Sequence, residues 1–210
     1  LIALFRARKP GATVIVTADH GEEFGEHGGH HHGTTLFDEQ VRVPLLWSSP
    51  GRVPARSVDT PVQLVDIAPS LLAALHIPRD PRMHGTDLGP VLRGADSVAG
   101  TPGVGAFASI DEQRMWTDGA HKLICPTHES ACLLFDLAAD PSESRDVAQH
   151  EPAIARRLQR ELSQLVAAIP EREGMAMQSG DAWPPALARA RLGDDAARDE
   201  LPALLGDPRP

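Results

Sequence analysis

No apolar run in this chain approaches the roughly 18 residues that a membrane-spanning helix needs. No cluster of basic residues is present to neutralise the phosphates of a nucleic acid. Lys and Arg number 20 against 29 Asp and Glu, a net charge of −9, so nucleic acid is not an expected partner. Tyrosine is absent and aromatic residues make up only 4% of the chain. No charged leader with a cleavage site precedes the first apolar segments, so the opening residues are not expected to be a signal peptide. The chain opens Leu1-Ile-Ala-Leu-Phe without a Met and is expected to be a piece of a longer protein. Localisation stays open on that ground, with a secreted or periplasmic site compatible. Cysteine is scarce as well: Cys125 and Cys132 are the two. Their spacing matches no paired-cysteine zinc pattern. They flank a six-residue turn between two short strand-like runs. A cross-hairpin disulfide and a pair of buried free thiols are both open, because strand register decides the geometry.

What is present is enough for a core, with 41% apolar residues in 210. Leu1–Lys9 reads as the end of a helix, stopped by Pro10-Gly11. Thr13–Thr17 is a β-branched run bounded by Gly11 and Gly21, the pattern of a fully buried strand. Arg42–Trp47 is a second apolar strand, closed by Ser48-Ser-Pro-Gly51. Asp66 is placed as the N-cap of a helix in which Pro69 falls in the first turn and Ile67, Leu71, Leu72 and Leu75 share one face. His84–Leu92 reads as a loop feeding a short helix. The texture changes near residues 95–101. Gly105–Ile110, Gln113–Trp116, His121–Cys125 and Leu133–Leu137 then form an expected antiparallel meander. Ile154, Leu158, Leu162 and Leu165 give Glu151–Ile169 a helical period. Beyond Pro170 the pattern weakens into helical pieces that resemble the end of a HEAT-type repeat, a surface for a protein partner; one copy falls short of the three or so repeats a solenoid needs.

The chemistry collects where the first strand ends. Asp19-His20-Gly21 puts a hard carboxylate beside an imidazole at a strand's carboxyl end, the place where open α/β sheets keep their ligands. Side chains there are no longer held to opposite faces, so both can reach one metal ion. The continuation carries Glu22, Glu23, Glu26, His27, His30, His31 and His32 among Gly21, Gly25, Gly28 and Gly33. These glycines permit close backbone approach to a ligand. His27 and His32 offer donors around an anion. Glu22, Glu23, Asp38 and Glu39 are most simply loop charges or caps, and His30 and His31 solvated loop residues. His76, His121, His128 and His150 have no motif behind them and are expected at the surface.

In order, Asp19-His20-Gly21, Gly25-Glu26-His27-Gly28, His32-Gly33, Leu36-Phe37-Asp38-Glu39 and Arg42-Val43-Pro44-Leu45 resemble the second half of a sulfatase, of the alkaline-phosphatase superfamily. Gln63–Leu72, His84-Gly85 and Leu88 resemble that family's next landmarks. Cys132–Leu137, Asp140-Pro141, Glu143 and Val147-Ala148 resemble its C-terminal signature. The resemblance covers residues 11 to 165. It implies an α/β fold: part of a mixed or parallel alkaline-phosphatase-like sheet sandwich, with a small antiparallel C-terminal subdomain and a helical tail. On that reading 1–98 is the C-terminal half of the catalytic domain, 99–170 the sheet-and-helix subdomain and 171–210 the tail.

The resemblance further implies that Asp19 and His20 are the metal ligands contributed by this half. The cation would be Ca²⁺, with Mn²⁺, Mg²⁺ and Zn²⁺ as alternatives. His32 lies where many sulfatases place a Lys that touches the sulfate and the leaving oxygen. An imidazole can still donate there, since its charge change falls near neutral pH. His27 is placed either near the substrate or as a hydrogen-bonder that fixes the loop, and Arg42 at the strand entry. The implied substrate is a small-molecule or glycan sulfate ester. The departure is that neither Cys-x-Pro-x-Arg nor Ser-x-Pro-x-Arg, the source of the formylglycine nucleophile, occurs in this chain; nor does the early Asp pair that binds the same metal. Without them there is no closed hard-cation site and no covalent step. A phosphoester or phosphonate-ester hydrolase, or a phosphoglycol transferase, of the same superfamily is the alternative enzyme. A non-catalytic truncated module is the alternative of another class.

Overall fold

The structure is a computed structural model that describes residues 2–95, 105–110, 112–127 and 131–169. Residues 1–168 form one compact unit. The expected helical tail over 171–210 lies outside the described residues.

The front of the chain carries α1 (Ile2–Arg8), which ends ahead of Pro10 as proline demands, and β1 (Val14–Thr17). β1 pairs antiparallel with β2 (Leu45–Ser48), Ile15 opposite Trp47 and Val16 opposite Leu46. The Arg6 guanidinium donates to the Ser48 hydroxyl and ties α1 to this pair. The expectation of a fully buried β1 is not met. Val16 is 38% and Leu46 61% exposed. The pair has no third strand beside it among the described residues, so side chains suited to burial stay open to solvent.

Asp66 departs from its expected role. A 3-10 turn, Leu64–Asp66, precedes α3 (Ile67–Ala74), and the Asp66 side chain does not cap α3. Its buried carboxylate accepts from the Gln63 amide at 2.8 Å and the Thr86 amide at 2.8 Å. The Ser70 hydroxyl accepts from the Leu88 amide at 2.8 Å. Together they lash α3 to the loop that leads into α4 (Gly89–Leu92).

The meander is present as read. β3 (Ala106–Ile110), β4 (Gln113–Thr117), β5 (His121–Pro126) and β6 (Leu133–Asp136) lie side by side in chain order, each pair antiparallel. Cys125 and Cys132 are joined as a disulfide across the β5–β6 connection. The two-residue period divides the sheet into two apolar faces. Trp116, Leu123, Cys125 and Leu134 face α5 (Pro152–Ala168), whose Leu158 and Leu162 are buried against them. Each such leucine contributes about 1.5–3 kcal/mol of burial. Trp116 Nε1 donates to Glu161 at 2.9 Å and Arg157 to Asp118 at 2.6 Å, which sets the helix's rotation.

The opposite face, with Met115, Ile124 and Phe135, packs on Leu36, Phe37 and Val41. Leu36 and Phe37 lead directly into α2 (Asp38–Val41). The sheet therefore lies between α5 and the segment that follows the histidine-rich loop. This is how the C-terminal region positions the site.

Candidate active site

The loop from Gly21 to Gly33 is held by one carboxylate that the sequence gives no reason to single out. Glu23 was expected as a loop charge, yet it is 1% exposed. Its backbone exchanges two hydrogen bonds with His31, both 3.0 Å. Its Oε1 accepts from the Gly29 amide at 2.7 Å and the His27 amide at 3.1 Å, and Oε2 from Gln40 Nε2 at 2.8 Å. The bond from Gly29 leads these donors in holding the carboxyl below its ordinary range, against the opposing effect of burial. Gln40 is buried as well, and its Oε1 accepts from the amides of Thr34 and Thr35.

Gly21 serves packing. Its amide donates to the Gln40 carbonyl at 2.8 Å, and a Cβ there would stand 2.0 Å from the Glu39 carbonyl oxygen. Its close approach is thus to protein backbone, where approach to a ligand was expected.

At the loop's entry Asp19, His20 and His32 come together. The His20 amide donates to Asp19 Oδ1 at 3.1 Å. Asp19 Oδ2 is left for another partner and lies 3.8 Å from His20 Nε2. His20 Nδ1 lies 2.8 Å from the Gly21 carbonyl. That bond requires a proton on Nδ1 and leaves the lone pair on Nε2, the arrangement by which proteins orient a metal-ligating imidazole. The His32 ring stacks on His20 with centroids 3.9 Å apart and 22° between planes. His32 Nδ1 donates to Glu22 Oε2 at 3.2 Å, so Glu22 orients the ring and leaves Nε2 free. Asp19 is 90% exposed and His20 44%, so the mouth is open.

His27 stands apart from this group in character. Its Nδ1 lies 2.7 Å from Glu39 Oε1, its Nε2 3.2 Å from the Glu143 carbonyl, and its ring stacks flat on Phe37 at 3.6 Å. Both nitrogens are spent on protein acceptors, which is the loop-fixing alternative of the two open for it. Burial alone would lower its pKa; the Glu39 bond, the Glu143 carbonyl and the charges of both carboxylates outweigh this, and the net shift is upward.

Behind His27 is a buried ionic cluster that the sequence reading did not assign. Lys122 has no exposed surface, and its Nζ lies 2.8 Å from Asp38 Oδ1 and 2.8 Å from Glu143 Oε1. Glu143 Oε2 accepts from the Asp38 amide at 2.6 Å. Burial pushes the Glu143 carboxyl up, and Lys122 offsets only part of that. Asp38, expected as a cap or loop charge, is thus a partner of β5. One signal was available: Lys122 shares its strand face with Ile124, and a lysine on a core face requires a carboxylate opposite. His121 also departs from expectation, with a side chain only 18% exposed. Arg42, expected at the strand entry, pairs with Asp38 at 3.4 Å from an exposed position.

The carboxylate–imidazole pair of Asp19 and His20 thus lies just past the carboxyl end of β1, with a second imidazole, His32, stacked on it. The Sulfatase family profile matches residues 1–77. Arylsulfatase K of Xenopus laevis is 27% identical over 168 residues, covering 73% of this chain and 31% of that protein. A solved structure of BT4656, in complex with its substrate D-glucosamine-2-N,6-O-disulfate, superposes with a TM-score of 0.61 at 23% identity, over 79% of this chain and 36% of that one. The phosphonate monoester hydrolase of Agrobacterium radiobacter superposes with a TM-score of 0.66 at 25% identity, over 80% and 38%. The chain resembles sulfatases, and the resemblance is to the C-terminal portion of their catalytic region. The chain spans about a third of the length of the curated relatives it matches over most of its own length.

Proposed function

We propose that the whole protein hydrolyses sulfuric esters and that this chain supplies part of its cation site and its leaving-group acid. The observation that carries the proposal is the 3.8 Å between Asp19 Oδ2 and His20 Nε2, with His32 stacked beside them. Those two donors can bind one ion together. One carboxylate and one imidazole are too few to enclose a hard cation, so the remaining ligands would come from protein outside this chain. The formylglycine nucleophile would come from there too.

When bound, a divalent cation, Ca²⁺ in this reading, polarises the ester oxygens and favours the ionised nucleophile. Asp19 holds its free oxygen towards that position, and His20 presents Nε2 because Gly21 takes its Nδ1 proton. His32 is the catalytic residue of this half. Nδ1–H is donated to Glu22, so Nε2 is the nitrogen that can carry the acid proton. It gives that proton to the alkoxide or phenoxide oxygen as the sulfur–oxygen bond breaks. His27 is a positioning residue: with Glu39 and Glu143 it fixes the loop on which His32 rides.

A second reading, hydrolysis of a phosphonate or phosphate monoester with Mn²⁺ or Zn²⁺, is supported by the likeness to the phosphonate monoester hydrolase. A nitrogen ligand also suits those ions better than calcium. The test is turnover of an aryl sulfate and an aryl phosphonate monoester by the full-length protein, with Ca²⁺ or Mn²⁺ added. Preferred aryl sulfate turnover is expected, and Asp19→Asn and His32→Ala should each lower kcat about 10²-fold or more. Preferred phosphonate turnover would favour the second reading. Full activity of Asp19→Asn would overturn both. Turnover of neither ester would leave a non-catalytic module.

A further inference from the structure

A second group of ligating side chains lies away from the histidine loop, at the end of the sheet face that α5 covers. His121 on β5 and Asp136 on β6 are a cross-strand pair. The two-residue period points both to the α5 side, the face of Leu123 and Leu134. Glu151 immediately precedes α5, and its carbonyl already accepts the helix's first amides from Ile154 and Ala155. Its side chain turns to the strand pair. One ligand atom from each of the three lies within 4.8 Å of the other two.

The protein leaves two polar atoms of this group without a hydrogen bond. His121 Nε2 and Glu151 Oε2 are 3.3 Å apart, long for a charge-assisted bond, which runs about 2.7–2.9 Å. Glu151 Oε2 and His121 Nδ1 are both shielded from solvent and have no hydrogen-bond partner. Leaving buried polar groups unpaired disfavours the folded state. Asp136 uses Oδ1 for the amides of Ala138 and Ala139, both at 3.0 Å, and so holds Oδ2 in a fixed direction.

We propose that His121, Asp136 and Glu151 bind a divalent cation of the zinc class, as a second site separate from Asp19 and His20. Zinc bonds of about 2.0–2.2 Å to nitrogen and oxygen at a tetrahedral angle put neighbouring donors about 3.4 Å apart. The His121–Glu151 spacing of 3.3 Å meets that. One imidazole and two carboxylates suit Zn²⁺ better than Ca²⁺, which prefers an all-oxygen set. The Glu151 side chain is 35% exposed, which leaves an entry path and room for water as the fourth ligand. The ion would join β5, β6 and the start of α5, a clamp on the sheet–helix packing.

The test is zinc binding by the tag-free chain with Asp19→Ala and His20→Ala in place, so that the first site is disabled. Equilibrium dialysis at pH 7.5 should find one zinc per chain. Glu151→Gln and His121→Ala should each weaken binding about tenfold or more, and zinc should raise the thermal midpoint only where it binds. Glu151→Gln, at a half-exposed helix start, keeps the test decisive should His121→Ala fail to fold. In the same zinc titration the His121 ring resonances of the chain with Glu151 intact should shift and those of His76 should not. Absence of stoichiometric binding, or binding that Glu151→Gln leaves unchanged, would overturn the proposal.

Discussion

Leu123, Leu134 and Leu158 have no exposed surface, whereas Leu46 keeps 61%, Phe5 49% and Phe24 77%. The sheet-and-helix region closes on its own apolar side chains. The region carrying Asp19, His20 and His32 is held largely by polar groups instead: the Glu23 carboxylate gathers the loop, the Glu39 carboxylate takes His27, and Glu143 accepts the Asp38 amide at its carboxylate and His27 at its backbone carbonyl. The comparison teaches that one part of the molecule is specified by burial and the other by satisfying polar groups. Burial is insensitive to pH and tolerant of small shifts. A hydrogen-bonded carboxylate network fixes atoms closely but depends on protonation. The loop that carries the candidate site has the second kind of order and is anchored on the first through Lys122.

That junction is where the comparison breaks most easily. Lys122→Met removes a buried cation and leaves Asp38 and Glu143 facing each other without it. The expected loss is about 3–5 kcal/mol of stability, read by urea unfolding. A loss below about 1 kcal/mol would mean the two regions are not joined there. Next in size is the sheet core. Leu158→Ala should cost about 3 kcal/mol, since its cavity lies against Trp116, Leu123 and Leu134. Leu46→Ala on the open strand pair should cost under about 0.5 kcal/mol in this chain. Similar losses at the two positions would erase the distinction between the regions.

The smallest effect is in pH. His27 has its pKa raised above 6.5, so its contribution is complete below 6.5 and is lost as pH rises through the higher folded value. Glu23 has its pKa lowered below 4.5, so its contribution is complete above 4.5 and is lost as pH falls through the lower folded value. Protection of the Gly29 and His31 amides, corrected for intrinsic exchange, should therefore be greatest between pH 4.5 and 6.5. It should decline on both sides, while protection in β5 stays level. Loop protection that is flat from pH 4 to 8 would contradict the network.

The parts that obey one periodicity were legible in the sequence. The four strands of the meander and the α5 stripe at Leu158 and Leu162 follow directly from alternation and helical spacing. The ordered landmarks from Asp19 to Val147 carried the resemblance to sulfatases. What could not be read was anything decided by which polar group meets which across the chain. Glu22 and Glu23 are adjacent in sequence, yet one is oriented to His32 at the open mouth and the other is sealed within the loop. Asp66 looks like a helix cap and clamps a loop 20 residues away instead. Val14–Thr17 has the composition of a buried strand because composition records what a strand is suited to pack against, and its neighbours among the described residues do not cover it.

The most direct test of the central claim is a Mn²⁺ titration of this chain followed through its histidine ring signals. With only two ligands from this half, binding should be weak, in the high micromolar range or weaker. The account predicts paramagnetic broadening of His20 and His32 together, reversed by excess Ca²⁺ and abolished by Asp19→Asn, with His27 and His76 affected far less. Broadening of His20 that survives Asp19→Asn, or a His32 signal untouched while His20 disappears, would contradict it.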